Sequence, residues 1–269
     1  MTVSESQRWK ALLFLRYLAL FGGLRRVPML GGWVRGAAAR WLPRDLLVWA
    51  QVRHGPASGV WLKLNPRTGR PYLQGAIEPE VQQTFARYLR VGMTVYDIGA
   101  NIGFFSLLAA RLVGARGCVV AFEADPAVAT RLREHVARNA VSTIIVEERA
   151  VWSETRDVPF VRSDPTVSPD LGLGHVESHP AATGSISVAA VALDDYVGRA
   201  PHPDFVKCDV EGAEVEVFRG ARRLLGEARP VIVCELHSGE NRRLLAEEFA
   251  RLRYDHRSCG AHHVLAVPR

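Results

Sequence analysis

From about residue 60 onward, apolar positions follow two alternating patterns. Short continuous runs of β-prone residues give way to longer stretches where apolar residues recur every three or four positions. The runs Val95-Tyr96-Asp97-Ile98, Gly117-Cys118-Val119-Val120-Ala121-Phe122-Glu123 and Thr143-Ile144-Ile145-Val146 read as buried strands, as do Ile186 to Leu193, Phe205 to Asp209 and Val231 to Glu235. Between them, Phe104 to Val113 has helical length and composition. Asp125-Pro126 opens a second helix with Val128, Leu132 and Val136 as its inner stripe. Ala213 to Leu225 reads as one helix with Val217, Ala221, Leu224 and Leu225 inward, and another runs from about Gly239 to Leu252. His263 to Val267 is expected to close the sheet at its edge. Strands alternating with helices in this way imply an α/β fold, with a parallel sheet and right-handed crossovers.

The pattern divides the chain into an N-terminal helical and loop-rich extension, residues 1–60, and a main domain, residues 61–269. The extension is rich in Trp, Gly and Arg (Trp33, Trp41, Trp49). Ala11 to Phe21 follows Arg8 and Lys10 like the front of a signal peptide, but Arg16 in its middle is costly there and the run is too short to span a bilayer. An amphipathic helix over residues 8–26, packed on the domain, on a partner or peripherally on a membrane, fits better. Val60 to Leu64 reads as a strand ending at Asn65-Pro66, and Thr68-Gly69-Arg70-Pro71 as a turn. Pro79 then opens a helix with Val81, Phe85, Tyr88 and Leu89 on one face. Between residues 162 and 185 the rhythm is broken by Pro165, Pro169, Gly172, Gly174, Pro180 and Gly184. That segment reads either as a flap near the site or as a mobile surface insertion.

Composition changes this picture little. The 269 residues are 48% apolar and 23% charged, as expected of a globular chain. The net charge of +6 comes largely from arginines on helical stretches (Arg131, Arg133, Arg138; Arg219, Arg222, Arg223), which read as solvated faces rather than as a nucleic-acid patch. The four cysteines, Cys118, Cys208, Cys234 and Cys259, show no Cys-x-x-Cys spacing. They read as buried apolar residues in a reducing compartment, so a cytoplasmic protein is expected.

The chemistry begins where the first buried strand feeds a helix through Asp97-Ile98-Gly99-Ala100-Asn101-Ile102-Gly103. Such a turn lets a small ligand lie against bare backbone at the helix N-terminus. A dinucleotide fingerprint wants glycine two residues after Gly99, where this chain has Asn101. The departure argues against a pyrophosphate-bearing cofactor and for S-adenosylmethionine. Four strand ends carry acids: Asp97, Glu123, Asp209 and Glu235. Ligands of open α/β sheets sit beyond those ends. Glu123, about 20 residues past Gly103, is placed to accept hydrogen bonds from ribose hydroxyls. Asp97 either touches the cofactor or ties down the turn, and Glu148 is a candidate for adenine contact.

The turn from Asp97 to Gly103, Phe122-Glu123-Ala124-Asp125-Pro126, Leu193-Asp194-Asp195 and Lys207-Cys208-Asp209-Val210-Glu211-Gly212-Ala213-Glu214, in this order, resemble the FkbM family of S-adenosylmethionine-dependent methyltransferases. Gly75-Ala76-Ile77-Glu78-Pro79 is similar to the family's Gly-x-Tyr-Glu-Pro lead-in, with Ile77 in place of the aromatic residue. The resemblance starts at about Gly75. It implies a Rossmann-like class I methyltransferase fold, with a seven-stranded, mostly parallel sheet and an antiparallel last strand. It also implies methyl transfer to a hydroxyl of a sugar, glycolipid, polysaccharide or natural-product acceptor, and adds Glu78 and Asp209 to the cofactor-binding positions.

An alcohol is a poor nucleophile, so a base or a metal is expected beside it. Asp209, Glu211 and Glu214 cluster at one strand end, and Glu235 and His237, two apart, share a side if the strand extends that far. His237 titrates in the useful range and is the first choice of base, with Asp209 and Glu211 completing the catalytic group. Asp209, Glu235 and His237 also form a candidate set for a divalent cation such as magnesium. Lys207 is expected to pair with Glu211 or Glu235. Two rival readings are a nucleic-acid methyltransferase, which the acidic run from Asp209 to Glu214 disfavours by repelling phosphate, and a non-catalytic S-adenosylmethionine-binding scaffold.

Overall fold

The computed structural model describes residues 46–162, 175–176 and 185–269, together with Trp9. Apart from Trp9, the expected helix over residues 8–26 lies outside those residues, as does most of the proline- and glycine-broken segment. The chain divides into two compact units, the second beginning at Glu78. In the first, β1 (Val48–Gln51) pairs antiparallel with β2 (Trp61–Leu64), so the lead-in, expected to be helical and loop-rich, contains a strand. Of the stretch expected as a turn after β2, Arg70 and Pro71 instead begin one helical turn, α1 (Arg70–Leu73).

The second unit opens with helix α2 (Pro79–Tyr88), which buries Val81 and Phe85. Its main sheet has seven strands, ordered β12-β13-β11-β10-β3-β4-β5. These are β3 (Thr94–Ile98), β4 (Cys118–Phe122), β5 (Ile144–Glu147), β10 (Phe205–Cys208), β11 (Val231–Glu235), β12 (Tyr254–Cys259) and β13 (His263–Pro268). The five strands from β11 to β5 are parallel. β13 runs antiparallel to β11, and β12 antiparallel to β13. The sequence reading put β13 at the edge. The edge is β12 instead, a strand missed because four of its six residues are exposed and polar, which is how edge strands avoid templating further pairing. Crossover helices α3 (Phe104–Val113) and α4 (Pro126–Arg138) form as expected.

The inner stripe of α4 is rotated from the expected one. Ala129, Leu132 and His135 are its buried residues. A histidine is tolerated there because its Nδ1 lies 2.7 Å from the Ile102 carbonyl oxygen and can donate to it. Asp125 caps the helix, its carboxylate accepting from the Ala127 and Val128 amides.

A second, four-stranded sheet was not foreseen. It is ordered β6-β9-β7-β8, from β6 (Ala150–Val151), β7 (Arg156–Val161), β8 (His175–Val176) and β9 (Ser185–Val191). β7 escapes a sequence reading because Pro159 and the charged pair at its start mask the alternation of buried Val158 and Phe160. A helical turn, α5 (Leu193–Tyr196), follows β9. Its Tyr196 stacks edge-on against Tyr96 and Phe122 of the main core.

The single helix expected over Ala213 to Leu225 is two, α6 (Glu214–Arg219) and α7 (Arg222–Ala228). They part at Gly220, whose missing side chain leaves room for the Trp152 carbonyl. A Cβ there would run into that oxygen. α7 is then started afresh by Asp194, whose two carboxylate oxygens accept from the amides of Arg223 (3.0 Å) and Leu224 (2.8 Å). The last helix, α8, runs from Gly239 to Arg251 and is capped by Ser238. No described helix is long and apolar enough to cross a membrane. Replacing Asp194 with Ala strips α7 of that cap, and equilibrium urea unfolding is expected to show a loss of about 1–2 kcal/mol.

Candidate active site

The turn between β3 and α3 is held by the protein's own packing. Asp97 is fully buried. Its Oδ2 accepts from the Ser106 hydroxyl at 2.5 Å, tying the strand to the first turn of the helix. Burial pushes its carboxyl up, against the opposing pull of Lys207 and of that hydroxyl. Gly99 has φ +73°, and a Cβ on it would run into the Asp209 carbonyl. Gly103 has φ +83°, and a Cβ on it would run into the Leu132 side chain. Gly99 is therefore demanded by the neighbouring main chain and Gly103 by its left-handed backbone, before any ligand is considered.

Asn101 adopts φ +51° and donates its amide to Glu123 Oε2 at 2.8 Å, while the Asp125 amide donates to Oε1 at 2.9 Å. Burial pushes the Glu123 carboxyl up to about 7 in spite of those two donors. An ionised carboxylate offers about four lone-pair sites, so each oxygen keeps capacity for another donor.

Asn101 and Glu123 line one wall of an open crevice, whose roughly 600 Å³ of empty space includes the solvent at its mouth; Asp97 and Gly103 are not on its wall. Gly99, Asn101, Glu123, Asp209 and Glu211 lie along it, so the structure brings these predicted positions together. The rest is largely apolar, from Ile98, Phe122, Val151, Phe160, Val176 and Val210. Phe160 and Val176 belong to the small sheet and had no signal in the sequence reading. Glu148 is not brought there. It is exposed and pairs with Arg133 at 2.6 Å, while its neighbour Arg149 lines the crevice and pairs with Glu147 at 3.3 Å.

A second group of charges lies at the C-terminal ends of β10 and β11. Lys207 is buried, and its partners are Asp209 (3.3 Å) and Asp97 (3.8 Å), not Glu211 or Glu235 as the sequence suggested. Burial alone would lower the Lys207 ammonium, but those carboxylates outweigh it and hold the group charged.

Glu214 is fully buried. It accepts from the Gly212 amide and from the Asn241 side chain, and faces His237 Nδ1 at 2.5 Å. His237 Nε2 then lies 3.2 Å from Glu211 and 3.9 Å from both Asp209 and Glu235. The Glu214 hydrogen bond, followed by the charge of Glu211, pushes His237 up to about 9. The ordinary titration range assumed from sequence is thus corrected upward, and the residue that orients the imidazole is Glu214.

The candidate cation set divides in the structure. Asp209 and His237 group with Glu211, whereas Glu235 groups with Glu78 and His263. Glu78 sits at the start of α2 with φ +37°, 3.3 Å from His263 Nε2 and not on the crevice wall.

A model of the methyltransferase FkbM domain matches residues 97–261, more than half of the chain. Hexuronic acid methyltransferase AglP of Haloferax volcanii is 34% identical over 148 residues, covering 54% of this chain and 56% of that protein. Methyltransferase 1 of Beauveria bassiana is 27% identical over 143 residues, covering 47% and 57%. The chain thus spans somewhat over half the length of each of these relatives. Among solved structures, methyltransferase FkbM from Methylobacillus flagellatus KT superposes with a TM-score of 0.48 at 18% identity, over 75% of this chain and 54% of that one.

Removing the buried ammonium leaves Asp97 and Asp209 without their cation. Lys207→Met is expected to lower unfolding free energy by about 3–5 kcal/mol, read by chemical denaturation at neutral pH.

Proposed function

This chain belongs to the FkbM family of methyltransferases and has their class I α/β fold, and from that premise we propose that it moves a methyl group from S-adenosylmethionine to a hydroxyl of a sugar or similar hydroxyl-rich acceptor. The observation that carries this reading is the juxtaposition of the crevice with the Glu214–His237 pair. The crevice is lined by Asp209 and Glu211, and the same two carboxylates face Nε2 of an imidazole oriented through its other nitrogen.

The residues present fit the cofactor. Glu123 retains acceptor capacity for ribose hydroxyls, and Phe122, Val151 and Phe160 supply apolar lining suited to a purine. The acids along the crevice favour a cationic ligand over a phosphate-bearing one. Bound S-adenosylmethionine supplies an electrophilic methyl group on a positively charged sulfur.

This chain supplies position and a proton acceptor. With Nδ1–H donated to Glu214, neutral His237 presents an Nε2 lone pair to an acceptor hydroxyl. Glu211 and Asp209 lie close enough to stabilise the imidazolium that forms. Glu123 anchors the cofactor, and Asp97 keeps strand and helix in register beneath it. The acceptor class rests on the hexuronic acid methyltransferase among the relatives and on this hydroxyl-directed base.

Incubation with methyl-labelled donor and a panel of neutral and acidic sugars should give a labelled methyl ether detectable by mass spectrometry. Absence of transfer to every hydroxylated acceptor, with the donor bound, would reject the reading. Glu123→Ala should weaken S-adenosylmethionine binding by about 1–3 kcal/mol in calorimetry.

The base is protonated below about 9 and cannot then accept a proton, so kcat/KM should climb with pH, about tenfold per unit, and level off near that value. Glu214→Gln removes the main cause of the raised pKa and should move this limb toward neutrality. His237→Ala should abolish the limb and lower kcat by about 100- to 10,000-fold.

A further inference from the structure

Next to the proposed base lies a group of side chains to which the proposed transfer step assigns no part. His263, at the start of β13, is only 4% exposed, yet among the described residues neither ring nitrogen meets a partner in good hydrogen-bond geometry, and the buried Oε2 of Glu78 faces the ring only at ion-pair distance. Three carboxylates surround the ring. Nε2 stands 3.3 Å from Glu78 Oε2 and 3.6 Å from Glu235 Oε2, and Nδ1 stands 3.4 Å from Glu80 Oε1.

Even as an imidazolium, His263 offsets one of three negative charges. A hydrogen-bonded triad would bring these atoms closer. Two ligands each about 2.1 Å from a common ion stand roughly 3.0–3.4 Å apart, which is the spacing seen here between Nε2 and Glu78 and nearly that to Glu235. One atom each of Glu78, Glu235 and His263 can be chosen so that all lie within 4.8 Å of one another.

The backbone brings this set together: Glu235 and His263 are register partners on adjacent antiparallel strands, and Glu78 is itself the left-handed residue that precedes α2.

We propose that Glu78, Glu235 and His263 bind one divalent first-row cation, with two carboxylates and one imidazole making a manganese-like donor set. The set differs from Asp209, Glu235 and His237, the trio suggested by sequence spacing. Glu235 connects the two places, since its other oxygen lies 3.9 Å from His237 Nε2. The cation would sit one carboxylate away from the proposed base and offset the negative charge around it. The inference does not depend on the identity of the acceptor or on methyl transfer.

The test uses the full chain, stripped with a chelator and titrated with manganese(II) chloride while the electron paramagnetic resonance signal of free manganese is followed. One ion per chain should be held, with imidazole nitrogen coupling in the pulsed spectrum that persists in His237→Ala. Affinity should fall at least about tenfold in His263→Ala and in Glu78→Gln, and stay unchanged in Glu211→Gln. If His263→Ala does not fold, Glu78→Gln and the nitrogen coupling in His237→Ala decide the matter. No binding at millimolar manganese, loss of the coupling in His237→Ala, or dependence on Glu211 rather than Glu78 would overturn the assignment. Because metal is read directly, its failure leaves the methyl-transfer reading standing, and the reverse also holds.

Discussion

The buried ammonium of Lys207 is the constraint on which the rest of the site depends. It lies where three elements meet. Its own strand β10 pairs with β3 so that Lys207 is opposite Asp97, Asp209 follows one residue past the strand, and the Phe105 ring at the start of α3 lies 5.1 Å away. A charge in this position adds little net stability, because desolvation offsets most of the attraction. Its effect is geometric. The ammonium can satisfy both carboxylates only while β3, β10 and the first turn of α3 keep one arrangement, and that arrangement aligns the glycine turn with the acidic strand end.

Around this fixed point the site segregates its charges. Asp97 and Asp209 share the lysine, Glu214 is committed to His237 and Asn241, and Glu123 is committed to two backbone amides. Glu211 and the outer oxygens of Asp209 and Glu235 remain oriented toward His237 Nε2. The acids thus differ in whether their partner is protein scaffold or the imidazole. The distinction follows from backbone register and burial, since all are the same two residue types.

The main sheet and the acids at its strand ends were legible in the sequence because parallel strands buried on both faces read as unbroken apolar runs. The small sheet was not, since β6 and β8 are two residues each and β7 carries Pro159. With it went Phe160 and Val176, the apolar side of the crevice. The break between α6 and α7 was hidden because its cause, the Trp152 carbonyl against Gly220, is a contact between residues distant in sequence. Lys207 was given the wrong partners for a related reason. Strand order in a doubly wound sheet is not contained in local spacing, and only adjacency to β3 brings Asp97 within reach. His237 was found by spacing, whereas its raised proton affinity depends on Glu214, which lies 23 residues away in sequence.

The close approach at Gly99 has a further consequence. The amide of Asp209 bonds to the carbonyl of Ile98 at 3.0 Å, and the Asp209 carbonyl occupies the space where a Cβ on Gly99 would lie. Main chain rests on main chain there, so the floor of the cleft is inelastic and cannot be widened by trimming a side chain. Ligand preference in this chain is therefore adjustable only along the walls, and a larger guest has to be accommodated upward, away from the sheet.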